Sequence, residues 1–184
     1  MKIWLVKIGE PVPIKNKSSV RLLRSGILSE KLSKLGHDVI FWTSTFDHFN
    51  KKLLFNSEKV IKKNSNYTIE LLHGKKYKKN VSLNRVINHY QISKSFKKKI
   101  KTRSKPDIII CSFPTIGLSY ECIKFGIKNN IPVFIDIRDL WPDIFFKELL
   151  PDLIQNLSKK IYSLFFNKHL YVFKNATGLI GITD

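Results

Sequence analysis

Short apolar runs of strand length alternate along this chain with longer segments in which apolar residues follow a helical spacing. The runs predict strands at residues 2–8, 37–43, 67–72, 107–111 and 177–183, and a buried central strand that begins at residue 131. Helices are predicted from residue 18 or 19 to 35, and at 84–105, about 116–129 and about 153–173. Residues 44–66 follow neither period and are predicted to form a long polar loop. Strands that alternate with helices predict an α/β fold with a Rossmann-like, doubly wound parallel sheet.

The helix after the first strand offers a candidate anion site at its beginning. Ser18 or Ser19 is a suitable N-cap, and Gly36 is expected to end the helix as its C′ residue. Backbone donors at such an N-terminus favour an anion, to which Arg21 could add a charged hydrogen bond. The alternative is a capped helix with surface arginines.

Charged residues come where the buried strand that begins at residue 131 is expected to end. Asp136, Arg138 and Asp139 come where this apolar run turns polar. In open α/β sheets, ligands bind outside the carboxyl ends of the strands, which makes these three residues candidates for chemistry. The alternative is an Asp–Arg pair that only closes a loop.

Two other strand ends carry polar candidates. Thr45, Asp47 and His48 follow the second strand and could bind a substrate, although Asp47 and His48 could instead order the loop through bonds to its backbone. His73 follows the strand at 67–72. The loop after the first strand holds one glycine, Gly9, so it lacks the spacing of a dinucleotide or phosphate-binding loop.

The composition indicates one globular domain with an anionic partner. The 184 residues include 33 basic and 14 acidic side chains, a net charge of +19, and 28 of the basic residues are lysine. Nucleic acid, anionic lipid or a phosphorylated substrate could attract this charge, and a biased genome composition could also produce it. Two cysteines, the lack of a signal peptide and the lack of a membrane-spanning run predict a reduced, cytoplasmic protein. No His, Cys and carboxylate spacing predicts a metal site.

Four stretches together resemble one enzyme family. They read IGEPVP at 8–13, GHDVIFWTSTFDH at 36–48, LLHG at 71–74 and DIRDLWPD at 136–143, and GLIGIT at 178–183 is similar as well. The chain resembles the N-terminal half of retaining family-4 glycosyltransferases of GT-B architecture, especially WbuB-like enzymes of bacterial surface polysaccharides. This resemblance covers nearly the whole chain.

The resemblance implies that residues 1–184 are an acceptor-binding domain, one half of a GT-B enzyme whose C-terminal donor domain is absent. It implies sugar transfer with retention, without a metal or cofactor, from a nucleotide-sugar that the missing domain binds. The chain alone is then expected to be inactive. The acceptor would be a sugar, for example one on a polyprenyl diphosphate at the inner face of the cytoplasmic membrane. An anionic membrane surface is a further expected partner.

The positions at strand and helix ends, taken together with the resemblance, suggest roles for individual residues. Asp136, Arg138 and Asp139 are expected to line the cleft, with Asp139 as the base for the acceptor hydroxyl. The residues expected to bind substrate are Gly9, Glu10, Ser18, Arg21, Thr45, Asp47, His48 and His73.

Two other classes of function remain open on the sequence. The chain could be a stand-alone half that binds a membrane or a partner without activity of its own. Its charge would also suit a nucleic-acid-binding domain, but it has no recognition helix or ribonucleoprotein motif, so nucleic acid is not an expected partner.

Overall fold

A seven-stranded, mostly parallel sheet forms the centre of the protein. A computed structural model describes residues 1–14, 21–80, 82–138 and 167–181. In spatial order the strands are β5 (Lys59–Asn64), β6 (Tyr67–Leu72), β2 (Asp38–Ser44), β1 (Lys2–Val6), β7 (Ile108–Phe113), β8 (Val133–Ile137) and β9 (Gly178–Ile180). All neighbours pair in parallel except β5, which runs antiparallel to β6. The predicted α/β fold with a Rossmann-like sheet is confirmed.

The central strands owe their position to continuous apolar runs. In β1, Trp4 pairs with Ile40 on one side and with Ile109 on the other, and all three are buried. A parallel strand between two neighbours is covered on both faces, so it needs apolar residues at successive positions.

The strand order reverses direction at β1. The chain first builds the sheet outward through β2 and β6, and then returns to place β7 on the opposite side of β1. The loops that leave the carboxyl ends of β1 and β7 therefore diverge and leave a crevice between them, which is the usual ligand position in such sheets.

Helices cover both faces of the sheet. Leu28 and Leu32 of α1 (Arg24–Lys34) pack on one face. The other face is covered by α2 (Leu83–Lys99), α3 (Ile116–Asn129) and a helix at 167–175, here α4. A short 3₁₀ turn, Ile100–Thr102, follows α2. The predicted helix at 153–173 lies outside the described residues up to 166.

Helix α1 differs from its predicted form at one end only. Gly36 follows its C-cap with φ +85°, a conformation that favours glycine, so the predicted C-terminal end is confirmed. The predicted start was wrong, because the N-cap is Leu23 and Arg21 precedes the helix. Ser18 lies outside the described residues.

The segment predicted as a long loop at 44–66 contains three strands. Phe46–Asp47 (β3) and Lys52–Leu53 (β4) form a small hairpin, and β5 is the edge of the main sheet. β5 is largely exposed and carries three lysines, which protect a sheet edge from pairing with other chains. The same lysines hide the strand pattern in the sequence.

Candidate functional site

A polar pocket of about 120 Å³ opens at the crevice beside the end of β1. Its walls come from the loops after β1, β6 and β7, from the end of β2, from β3 and the turn after it, and from the first half of α2. The lining residues are Lys7, Ile8, Gly9, Ser44, Phe46, His48, Tyr77, Arg85, Asn88, His89, Pro114 and Thr115. Basic and neutral polar groups thus meet at the ligand-binding edge of the sheet, and no carboxylate is among the described residues that line the pocket.

His48 is held in place by a neighbouring phenol. Its Nδ1 lies 2.7 Å from the hydroxyl of Tyr77, which is buried. Gly9 has φ +82°, and a Cβ added there would come to 3.8 Å from the Cβ of His48. A glycine at this position lets the loop after β1 turn sharply while its backbone passes close to the imidazole.

Both histidines of the pocket are neutral at physiological pH. Burial, together with the charges of Lys51, Arg85 and Lys7, lowers the pKa of His48 to about 4. Burial, Arg85, His48 and Lys7 lower the pKa of His89 to about 3. A neutral imidazole can accept a proton from a hydroxyl group as well as donate a hydrogen bond.

A network of ion pairs lies at the carboxyl end of β8, beside the pocket. Asp136 is buried and receives hydrogen bonds from Arg24 Nη1 (2.7 Å), Ser112 Oγ (3.0 Å) and Arg138 Nε (2.7 Å). Arg138 also donates to Glu10 through Nη1 and to Ser25 Oγ through Nη2, at 2.9 Å for the latter. Asp136 and Arg138 therefore connect the end of β8 with β7, with the first turn of α1 and with the loop after β1.

Glu10 occupies the position where the sequence suggested a bound anion. Its Oε2 accepts hydrogen bonds from the backbone nitrogens of Ser25 at 3.0 Å and Gly26 at 3.3 Å, in the first turn of α1. A carboxylate of the chain itself thus satisfies the free donors and the dipole of this helix end. The predicted anion site at α1 is therefore already filled by Glu10.

The ionisation of Asp136 suits a positioning role. Burial alone would raise the pKa of its carboxyl, but hydrogen bonds from Arg138 and Ser112 and the charges of Arg138 and Arg24 outweigh burial and lower the pKa. A carboxylate that binds its proton this weakly is a poor general base near neutral pH. Asp139, the predicted base, lies outside the described residues.

The other predicted residues occupy two separate places. The hydroxyl of Thr45 lies 3.0 Å from His73 Nδ1, and these two residues pair across the ends of β2 and β6. Asp47 accepts hydrogen bonds from the backbone nitrogens of Phe49 and Asn50, both at 3.0 Å. Asp47 therefore orders its own loop, which was the alternative to substrate binding. Of the predicted substrate-binding residues, Gly9 and His48 line the pocket, whereas Arg21 is exposed ahead of α1.

Several residues of the site carry no clear signal in the sequence. Lys7 ends an apolar run and resembles any solvated lysine, and Arg24 and Arg85 are two among many basic residues. His89 lies within α2, on the side of the helix that borders the pocket. Only contacts between distant segments of the chain distinguish these side chains.

In residues 1–14, 21–80, 82–138 and 167–181, no three His, Cys, Asp or Glu side chains are arranged to hold a metal ion. Within the same ranges, no helix is both long and apolar enough to cross a bilayer.

Comparison with known proteins identifies the fold. No protein-family model and no curated protein match the chain. Among solved structures, a sucrose-phosphate synthase from Thermosynechococcus elongatus is similar over 100% of this chain and 77% of that one, with a TM-score of 0.58 and 11% identity. The chain has a Rossmann-like fold that matches one half of the GT-B architecture. At this identity the likeness establishes the fold alone.

Because the pKa values of both pocket histidines are lowered, we expect the fold to lose stability in mild acid. This loss should begin at pH values well above those at which carboxylates titrate. In the unfolded chain both titrate near pH 6.5, and in the folded protein at about 4 and about 3. Between these values the unfolded chain binds up to two more protons, so the free energy of unfolding should fall as the pH is lowered from 6.5 to 4.5. Urea denaturation at several pH values measures this slope.

The matched control is the double variant His48→Gln with His89→Gln. Its free energy of unfolding should depend less on pH over the same interval than that of the unaltered chain. Equal slopes in the two proteins would show that these histidines titrate normally.

Proposed function

We propose that this chain is the acceptor-binding domain of a glycosyltransferase that transfers a sugar from a nucleotide-sugar to a polysaccharide or lipid-linked acceptor. The pocket at the reversal point of the strand order carries this proposal. It lies at the ligand-binding edge of a sheet whose fold matches a sucrose-phosphate synthase over the full chain. Hydroxyl, amide and imidazole groups line it, and these are the groups that hydrogen-bond sugar hydroxyls.

The proposal divides the work between two domains. A separate C-terminal domain would bind the nucleotide-sugar and stabilise its diphosphate leaving group, so this chain alone would not complete a transfer. The expected reaction retains the configuration at the sugar and uses no metal, as the family-4 resemblance implies. The acceptor would be a precursor of a surface polysaccharide such as O-antigen or capsule.

The residues of the site take different roles in this proposal. Asp136, Arg138 and Glu10 position the loops around the pocket, because their polar atoms are engaged with one another. His48 and His89 face the pocket and are suited to orient an acceptor hydroxyl. Asp139 is the proposed base and follows directly on Arg138 in the sequence.

Transfer by the protein purified from its own cells tests the proposal. We expect label from at least one nucleotide-sugar in a panel to appear in the saccharide fraction of those cells. His48→Gln should lower the rate at least tenfold, because an imidazole that contacts the acceptor is lost. Lys128→Gln, an exposed change at the far end of α3, should leave it unchanged. Absence of transfer from every donor would contradict the proposal.

One exposed helix face supports a lipid-linked acceptor at a membrane. Leu83, Ile87 and Tyr90 are 74%, 40% and 67% exposed, and their spacing puts them on one side of α2. Exposed lysines precede and follow this stretch, at 75, 76, 78, 79, 94, 97 and 98. Apolar side chains among lysines suit the interface of an anionic bilayer. We propose that this face of α2 rests on the membrane.

Binding to vesicles tests the membrane face. The protein should sediment with vesicles that contain anionic lipid and remain in solution with neutral vesicles, because each lysine near an anionic surface adds about 1 kcal/mol. Leu83→Ser with Ile87→Ser should weaken binding about tenfold or more, since about 0.8 kcal/mol is lost for each buried CH₂ group.

The control for this experiment carries two serine changes elsewhere. Ile127→Ser with Leu35→Ser alters two other exposed apolar residues, outside α2. Equal losses for the two double variants, or equal binding to neutral and anionic vesicles, would exclude this face as the contact.

A further inference from the structure

The pocket has a marked charge asymmetry. Four basic side chains line it, and the described lining residues include no acidic group to balance them. Burial and the charge of Arg138 lower the pKa of Lys7. Burial and neighbouring cations lower the pKa of His48 to about 4 and that of His89 to about 3, so both imidazoles are neutral. The nearest carboxylates to Lys7, Glu10 and Asp136, are bound to Arg138 instead.

Several donors of the pocket are unused by the described chain. In the described residues, the ammonium of Lys7 makes no hydrogen bond or ion pair, and the ring of His89 makes no hydrogen bond. His48 uses Nδ1 for Tyr77, which leaves Nε2. These donors come from the loop after β1, the turn after β3 and helix α2, so they approach the same space from three segments of the chain.

The beginning of α3 borders this space. Thr115 is the N-cap of α3 and lines the pocket, and its side chain makes no capping bond. The N-terminal end of a helix carries a partial positive charge that favours an anion. This end of α3 therefore adds to the positive potential of the basic side chains.

We infer that this pocket binds an oxyanion carried by the acceptor, a phosphate or a carboxylate, and that Lys7 is its principal contact. This inference rests on the proposed function and specifies the class of acceptor. About 120 Å³ is enough for several waters and therefore for one group with three or four oxygens. A dianionic phosphate would balance the charges of Lys7 and Arg85.

Calorimetric titration of the 184-residue chain with inorganic phosphate and with acetate tests the inference. One or both should bind, and Lys7→Gln should weaken binding at least tenfold, because it removes a charge-assisted contact inside the pocket. Lys128→Gln removes the same charge from an exposed position and should change affinity less than twofold. Tighter binding of phosphate would indicate a phosphorylated or diphosphate-linked acceptor. Tighter binding of acetate would indicate an acceptor that contains an acidic sugar.

The pKa values of the histidine rings provide a second measurement. It uses the unaltered chain and so needs no variant protein. Bound phosphate should raise the NMR pKa values of His48 and His89, since it faces them together with Lys7, Arg85, Lys51 and Asp47. His37, which precedes β2 at the opposite end of that strand, should not respond. No binding of either anion, equal losses for Lys7→Gln and Lys128→Gln, or unchanged histidine pKa values would overturn the inference.

The outcomes separate this inference from the proposed function. If neutral saccharides bind to the pocket and oxyanions do not, the protein recognises an uncharged acceptor and the inference alone fails. If oxyanions bind and no saccharide or transfer is found with any donor, the proposed function fails.

Discussion

Replacing Arg138 by alanine should lower the free energy of unfolding by about 3–5 kcal/mol, because it leaves buried carboxylates without their partner. Arg138 contacts Asp136 through Nε and Glu10 through Nη1, and both acidic side chains are buried. Asp136 would keep Arg24, which is partly exposed, whereas Glu10 would keep only neutral donors at α1 and Ser25. Urea denaturation at neutral pH measures the difference.

The control for this prediction is a change at Arg21, which lies just before α1. Arg21→Ala alters an exposed side chain, and a surface change of this kind should shift stability by no more than about 0.5 kcal/mol. If Arg138→Ala is as mild as Arg21→Ala, the ion-pair network does not hold the loops together.

Replacing Phe96 by alanine should cost about 3–5 kcal/mol of stability, the usual loss for a buried aromatic residue. Its ring is fully buried and lies edge-on to Trp42 at 5.1 Å and to Trp4 at 6.4 Å between centroids. The alanine would leave a cavity beneath α2 against two rigid indole rings, which cannot close over it. Thermal and urea unfolding both report the loss.

Phe49→Ala is the matched change at an exposed phenylalanine. Phe49 lies in the hairpin turn after β3 and is largely exposed, so its loss should alter stability by no more than about 0.5 kcal/mol. A cost for Phe96→Ala below about 1.5 kcal/mol would show that α2 does not pack on the indoles as described.

The ion-pair network around Arg138 and the aromatic core around Phe96 each hold a wall of the pocket in place. The aromatic core fixes α2, which presents Arg85 and His89 to the pocket. The network fixes the loop after β1, which carries Gly9 and Lys7. A pocket whose walls come from separate elements keeps its geometry only if each element is anchored, so partial loss of either cluster should weaken ligand binding before the protein unfolds.

The main sheet could be predicted because its strands carry unbroken apolar runs. Tyr67–Leu72 matches the predicted strand at both ends, and most other predicted boundaries are correct to within one or two residues. β5 was missed since Lys59, Lys62 and Lys63 dominate its sequence, and an edge strand needs no continuous apolar pattern.

The start of α1 was missed because its cap is remote in sequence. No Ser, Thr, Asp or Asn precedes Arg24 directly, and the helix end is satisfied by Glu10, whose contact with Ser25 spans 15 residues. Local capping rules cannot find such a partner.

The site could be predicted only in part for a related reason. The rule that ligands bind at the carboxyl ends of strands identified His48, Asp136 and Arg138, and the family resemblance added Gly9. It could not separate the residues that face the pocket from those that bind one another. Asp136 and Arg138 neutralise each other's charge, and this becomes visible only once Glu10 and Arg24 are placed beside them.

The most direct measurement is an NMR titration of the histidine rings with the saccharide fraction of the native cells, lipid-linked saccharides included. We predict that the signals of His48 and His89 shift while that of His37 does not, and that the same fraction after removal of its sugars by hydrolysis shifts them less. Shifts that are absent, or equal for all three histidines, would contradict the assignment of this pocket as an acceptor site.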